Sequence, residues 1–236
     1  MERFPAQAQP FPSVADAGER VTAFLRVVYA WMAVGLTVTA LVAWVVNGSD
    51  TLLYTIASNR LLFWGLMLAQ LGLVFFLSAR VQSLSPGTAT GLFLLYSGLT
   101  GLTMAFVLRV YTGESVATTF FVTAGTFGAL AAYGTVTSRS LAGLGQFLFM
   151  GLVGIVLASI VGIFWQSDGL QFVIAFCGVI LFTLLTAYDA QQLKAMALAV
   201  PDSQLGSFAI VGALRLYLDF INLFLYLLRF LGGRRD

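Results

Sequence analysis

The sequence contains no histidine. Zinc sites built on imidazole, Ser-His-Asp triads and the Ser-His dyad of intramembrane rhomboid-type proteases are therefore excluded. Cysteine is nearly absent as well. The single Cys177 lies in an apolar run, so it forms no intramolecular disulfide and reads as a small buried hydrophobe. Charge is scarce: 9% of residues are charged, against roughly 25% in a soluble domain. The net charge is +2 and the basic residues are scattered, so the clustered patch of a nucleic-acid-binding surface is missing. Hydrophobic residues make up 59% of the chain and mean hydropathy is +0.93. Such a chain cannot coat a water-facing surface, and lipid is its natural solvent.

A bilayer core of about 30 Å needs about 20 apolar residues per helix. Uncharged runs occupy Val27–Ser49, Leu61–Ala79 with a helix start as early as Leu52, Val81–Leu108 behind Ser85-Pro86-Gly87, Ser115–Ser138, Ser140–Ser167 and Gly169–Tyr188. A seventh apolar stretch, Gly206 to Leu231, carries Arg215, Asp219 and Arg229. The expectation is an all-α, polytopic membrane bundle of seven helices spanning residues 23–236. Before it, residues 1–22 hold Pro5, Pro10 and Pro12 without an apolar core or cleavage motif, and read as a disordered cytoplasmic tail. Thr112-Gly113-Glu114 and Gln166-Ser167-Asp168 read as tight turns, and Arg139 lies in another. Lys194–Leu205 is the one longer expected loop.

With the N-terminus inside, inner loops carry Arg3, Arg20, Arg26, Arg80, Arg139 and Lys194, and outer loops carry Arg60 and Arg109. Seven full spans put Arg229, Arg234 and Arg235 outside; a re-entrant last helix puts them inside. Gly87/Gly91, Gly125/Gly128 and Gly151/Gly154 offer small faces for helix packing, or hinges.

Charges within membrane spans face a cavity or a partner. Arg215, Asp219, Asn222, Tyr226 and Arg229 are spaced 4, 3, 4 and 3, on one helix face. That stripe faces the bundle interior or an oligomer interface. Asp189 and Asp219 sit on sequential antiparallel spans and are placed to meet. Two carboxylates at ~4 Å repel by roughly 4 kcal/mol at an effective dielectric of 20, so one proton shared between them would act as a latch. The other reading neutralises each aspartate separately, Asp219 by Arg215 at i−4.

Ala187-Tyr188-Asp189 with Gln191-Gln192-Leu193-Lys194 resembles the sixth-helix segment of the Bax-inhibitor family. Leu216-Tyr217-Leu218-Asp219-Phe220-Ile221-Asn222-Leu223-Phe224 resembles its seventh-helix segment, and Thr123–Leu130 with Tyr133-Gly134 its fourth helix. The resemblance implies a seventh helix at the centre of a six-helix ring and a pH-dependent calcium leak gated by paired aspartates. Here these are Asp189 and Asp219, with calcium passing transiently beside them. It implies an arginine partner at the end of the second helix, a place taken by Arg80, which also reads as a positive-inside anchor. The family motif has a small or neutral residue where this chain has Arg215. The expectation is a sensor that works at lower pH, or a weaker leak. A tight calcium site needs six to eight oxygens and is not expected. No other cofactor and no enzymatic activity are expected.

The competing reading is a non-conducting regulator that binds a membrane protease or other membrane complex, since some bacterial members of the family associate with a quality-control protease. A retinal protein is excluded, because no lysine lies between Gly206 and Asp236. The Gly-x-Gly-Asp context of intramembrane aspartyl proteases is absent around both aspartates. The expected location is the inner (plasma) membrane, in contact with lipid, with the N-terminus cytoplasmic.

Overall fold

Long apolar runs separated by capping residues dictate helices. A computed structural model describes residues 14–165 and 167–233. The described residues form eight α-helices, two single 3-10 turns and no strand: α1 (Val14–Asn47), α2 (Asp50–Ser58), α3 (Arg60–Arg80), α4 (Pro86–Val110), α5 (Gly113–Val136), α6 (Gly145–Phe164), α7 (Asp168–Ala199) and α8 (Leu205–Leu231). All but α2 are long and apolar enough to cross a membrane, which makes the chain a polytopic helical membrane protein. Arg3, Pro5, Pro10, Pro12, Gln166, Arg234 and Arg235 lie outside the described residues.

Helix starts follow local chemistry. Ser49, Asn59, Ser85 and Thr112 each accept a hydrogen bond from a backbone N–H of the turn that follows, and Pro86 stands just inside α4. Asn59 explains a departure from the expected second span. Its backbone is extended, its N–H closes α2 on Thr55 O, and its Oδ1 opens α3. The chain therefore breaks between Leu52 and Leu61 instead of running on as one helix.

Two further boundaries differ. α1 begins at Val14, inside the stretch expected to be a tail up to residue 22. α7 does not stop before Lys194 but runs to Ala199, so the loop expected over Lys194–Leu205 shrinks to residues 200–204. Charges mark where hydrocarbon ends, but a helix persists wherever they find partners. Asp189 is covered by α8, and Lys194 Nζ donates to Thr135 O at 3.1 Å.

α8 is the core. In its apolar window 61% is buried, against 11% for α3 and 17% for α6. It packs against α1, α4, α5 and α7; α3 leans on α4, and α6 on α7. The expected six-helix ring is thus four inner helices with α3 and α6 outside. Chain reversals alternate between two ends. At the end holding Arg20, Ser207 Oγ donates to Leu84 O at 2.6 Å. At the other, Thr112 N–H donates to Gly233 O at 3.2 Å and Arg109 pairs with Asp50. α8 runs the whole way between them, so it is not re-entrant, and Arg229 lies at the end opposite Arg20.

The expected glycine faces are not where helices touch most closely. Added Cβ atoms at Gly87, Gly91, Gly125, Gly128 and Gly154 would meet open space, and only Gly151 contacts a neighbour, Leu181. Close approaches occur at other glycines, among them Gly134 against the Ala187 backbone, Gly101 against Thr39 O and Gly178 against the Tyr226 ring. Spacing alone could not separate these from lipid-facing glycines. Cys177 faces outward rather than into the core.

Candidate functional site

α7 and α8 are antiparallel neighbours, so residues at regular intervals on each meet in register. The polar stripe of α8 lies along α7. Arg229 Nη1 donates to Gln171 Oε1 at 3.2 Å. Tyr226 stacks on Phe182 with ring centroids 5.6 Å apart. Asn222 turns back on its own helix, Nδ2 donating to Leu218 O at 2.8 Å. Asp219 and Asp189 then meet carboxyl to carboxyl. They are 5% and 7% exposed, so each has left water. Asp219 Oδ2 is buried with no hydrogen-bond partner of conventional geometry.

Arg215 is the cation of this group. Its Nη1 lies 3.6 Å from Asp189 Oδ1, and its side chain is 43% exposed. The arginine therefore reaches across to α7 instead of neutralising Asp219 one turn along its own helix. Arg80 stands exposed at the end of α3, and among the described residues it forms no ion pair. The structure thus gathers Asp189, Asp219 and Arg215 in one cluster and leaves Arg80 outside it.

Among the described residues no third acidic side chain joins the pair to form a metal-ligand cluster. Two carboxyls supply too few oxygens to hold calcium firmly. What the cluster can do is hold one proton between two buried oxygens, or one positive charge beside them.

Three arrangements around the pair were not legible in the sequence. Gln191 Oε1 accepts from Leu141 N at 2.7 Å and its Nε2 donates to Arg139 O at 2.8 Å, which fastens the α5–α6 loop to α7. At the same end, Arg20 Nε donates to Ala197 O at 2.7 Å, and its Nη1 lies 2.8 Å from Asp202 Oδ1. On the opposite face of α8, the Tyr217 hydroxyl lies 2.6 Å from Thr39 Oγ1, which also donates to Ser97 O at 2.9 Å. Each joins residues far apart in the chain, and only Tyr217 carried a signal, a hydroxyl within an apolar run.

Residues 21–236 match the family described as inhibitor of apoptosis-promoting Bax1. Inner membrane protein YbhL of Escherichia coli is 48% identical over 238 residues, covering 100% of both chains. An uncharacterized protein of Borreliella burgdorferi is 45% identical over 215 residues, 90% of this chain and 93% of that one. A third, from Caulobacter vibrioides, is 40% identical over 232 residues, 94% of this chain and 92% of its own.

Proposed function

The chain belongs to the Bax-inhibitor family, and from that premise we propose that it is a pH-sensitive cation leak, with calcium as permeant ion, gated by Asp189 and Asp219. The observation that carries this reading is the meeting of the two carboxyls between α7 and α8, out of water and beside Arg215. With one proton between them the pair is a hydrogen-bonded link across the helix interface. With the proton gone, two like charges at ~4 Å repel by roughly 4 kcal/mol at an effective dielectric of 20. That repulsion favours separation of α7 from α8, and the freed carboxylates attract a cation.

Leu214, Tyr217, Leu223 and Leu228 of α8 are each at most 2% exposed, and this close packing along the central helix supports reading the arrangement as the closed form of the leak. Of the charged side chains on helices packed about the pair, Arg215 is the one in contact. Lys194, a turn further along α7, is engaged by Thr135 O. The role is conduction without catalysis. Basic residues are denser at the end holding Arg20, Arg26, Arg80, Arg139 and Lys194 than at the end holding Arg60, Arg109 and Arg229. This supports a cytoplasmic N-terminus. The name of the E. coli relative supports the inner membrane.

Calcium flux into proteoliposomes, measured against pH for the native chain, Asp189→Asn and Asp219→Asn, tests the proposal. Native flux should change with pH, and each substitution should flatten that change. A flux indifferent to pH and to both substitutions would sink the sensor and turn attention to a non-conducting regulator. That regulator would be sought by co-purification with a membrane protease or other membrane complex.

A further inference from the structure

α1 packs along α4 and α8, and α5 along α7 and α8, but α1 and α5 do not pack against each other along their length. An apolar groove separates them. Its half nearer the Arg20 end, about 510 Å³, is walled by Tyr29, Ala33 and Leu36 of α1 and by Gly128, Ala132 and Val136 of α5. The other half, about 410 Å³, continues from Leu36 past Ala40 to Phe120, with Phe220 and Phe224 of α8 behind it. Small residues make the space: a Cβ added at Gly128 would meet nothing within 4 Å.

The groove changes character at the Arg20 end. The hydroxyls of Tyr29 and Thr135 lie close together there, and Thr135 Oγ1 donates to Ala131 O at 2.8 Å. One turn before Tyr29, on the same face of α1, stands Arg26. Three residues beyond Val136, in the loop that Gln191 fastens, stands Arg139. Both arginines are exposed, and neither forms an ion pair among the described residues. Lys194 reaches the same end of α5, donating to Thr135 O. From the middle of the bundle outward, the order is therefore hydrocarbon, hydroxyls, then cations.

We propose that the α1–α5 groove is a binding site for an anionic phospholipid of the surrounding bilayer. One acyl chain lies between the helices, and the phosphate sits at Arg26 and Arg139. The polarity of the groove follows that of a lipid from tail to headgroup. Arginine, with its planar fork of donors, suits a phosphate, and basic pockets between membrane helices take anionic headgroups. An apolar partner helix would fill the groove but leave the cations unmatched. The proposal is independent of ion conduction.

The test is native mass spectrometry of the full chain, reconstituted in equimolar phosphatidylglycerol and phosphatidylcholine and released in mild detergent. The native chain should retain phosphatidylglycerol in preference. Arg26→Gln and Arg139→Gln should each lower that preference roughly fivefold, and the double variant about 25-fold. Gly128→Leu, whose Cβ would meet nothing within 4 Å, should displace both lipids. Its unfolding temperature, read alongside, separates displacement from misfolding; if it misfolds, Ala132→Leu replaces it. Equal retention of the two lipids by the native chain overturns the proposal, as does a preference that survives loss of both arginines. Unchanged retention in folded groove-filled variants overturns it too, since binding would then be adsorption to surface charge. A polypeptide held in the groove of the native chain would do the same.

Discussion

Arg215 pairs with Asp189 across the α7–α8 interface, with Nη1 3.6 Å from Oδ1, and so lends its charge to the neighbouring helix. The three side chains form one cluster in which Arg215 is the one cation. Replacing Arg215 with Ser removes that charge. In proteoliposomes the pH profile of calcium flux should differ between Arg215→Ser and the native chain by roughly one pH unit or less, because a half-exposed guanidinium is screened by solvent. Superimposable profiles would remove Arg215 from the gate.

Gly134 sets how closely α5 approaches α7. A Cβ there would run into the carbonyl group of Ala187, two residues before Asp189. Backbone cannot yield as a flexible side chain can. Gly134→Ala should lower stability by about 1–3 kcal/mol, read as a drop in unfolding temperature in detergent. Gly125→Ala, on the same helix with nothing within 4 Å, should be neutral or stabilising by up to roughly 1 kcal/mol. Equal effects at the two positions would contradict the packing.

Tyr217 and Thr39 join α8 to α1 by a hydroxyl contact of 2.6 Å inside the core. Tyr217 also packs edge-on against Phe93 and Tyr96, with ring centroids 5.7 and 5.9 Å away. Tyr217→Phe keeps both ring contacts, and Thr39 keeps its bond to Ser97 O. The expected loss is about 1 kcal/mol in chemical unfolding. A loss several times larger would mean the hydroxyl supports a wider network.

Gln191 holds the α5–α6 loop by two hydrogen bonds, at 2.7 and 2.8 Å. Gln191→Ala should speed amide exchange across residues 137–144 by about five- to tenfold, most at Leu141, whose N–H loses its acceptor. Asp189 lies two residues away and so on the other side of α7, and the pH profile of flux should be unchanged. Exchange as slow as in the native chain would show that the loop is held by other contacts.

The sequence by itself determined the solvent and the repeating unit. With 9% charged residues and uncharged runs of membrane length, the chain had to become a bundle of membrane helices. Hydrophobic transfer and backbone hydrogen bonding act locally on such runs, so composition and spacing suffice. The stripe from Arg215 to Arg229 was legible for the same reason: helical periodicity is a local property. The motifs around Asp189 and Asp219 placed both carboxyls on neighbouring antiparallel helices.

Only the tertiary structure decided which groups touch. Arg215 could have served Asp219 on its own helix; the register of α7 against α8 gave it to Asp189 instead. Arg80 could have approached the pair, but α3 packs outside α4 and keeps it at the surface. α7 continues past Lys194, where a loop was expected, because a charge ends a helix only where it lacks a partner, and the partner of Lys194 lies 59 residues away in the chain. The α1–α5 groove exists because two helices distant in sequence both lean on α8 and not on each other. Such choices depend on how side chains interlock across helix faces, and spacing along one helix carries no record of them.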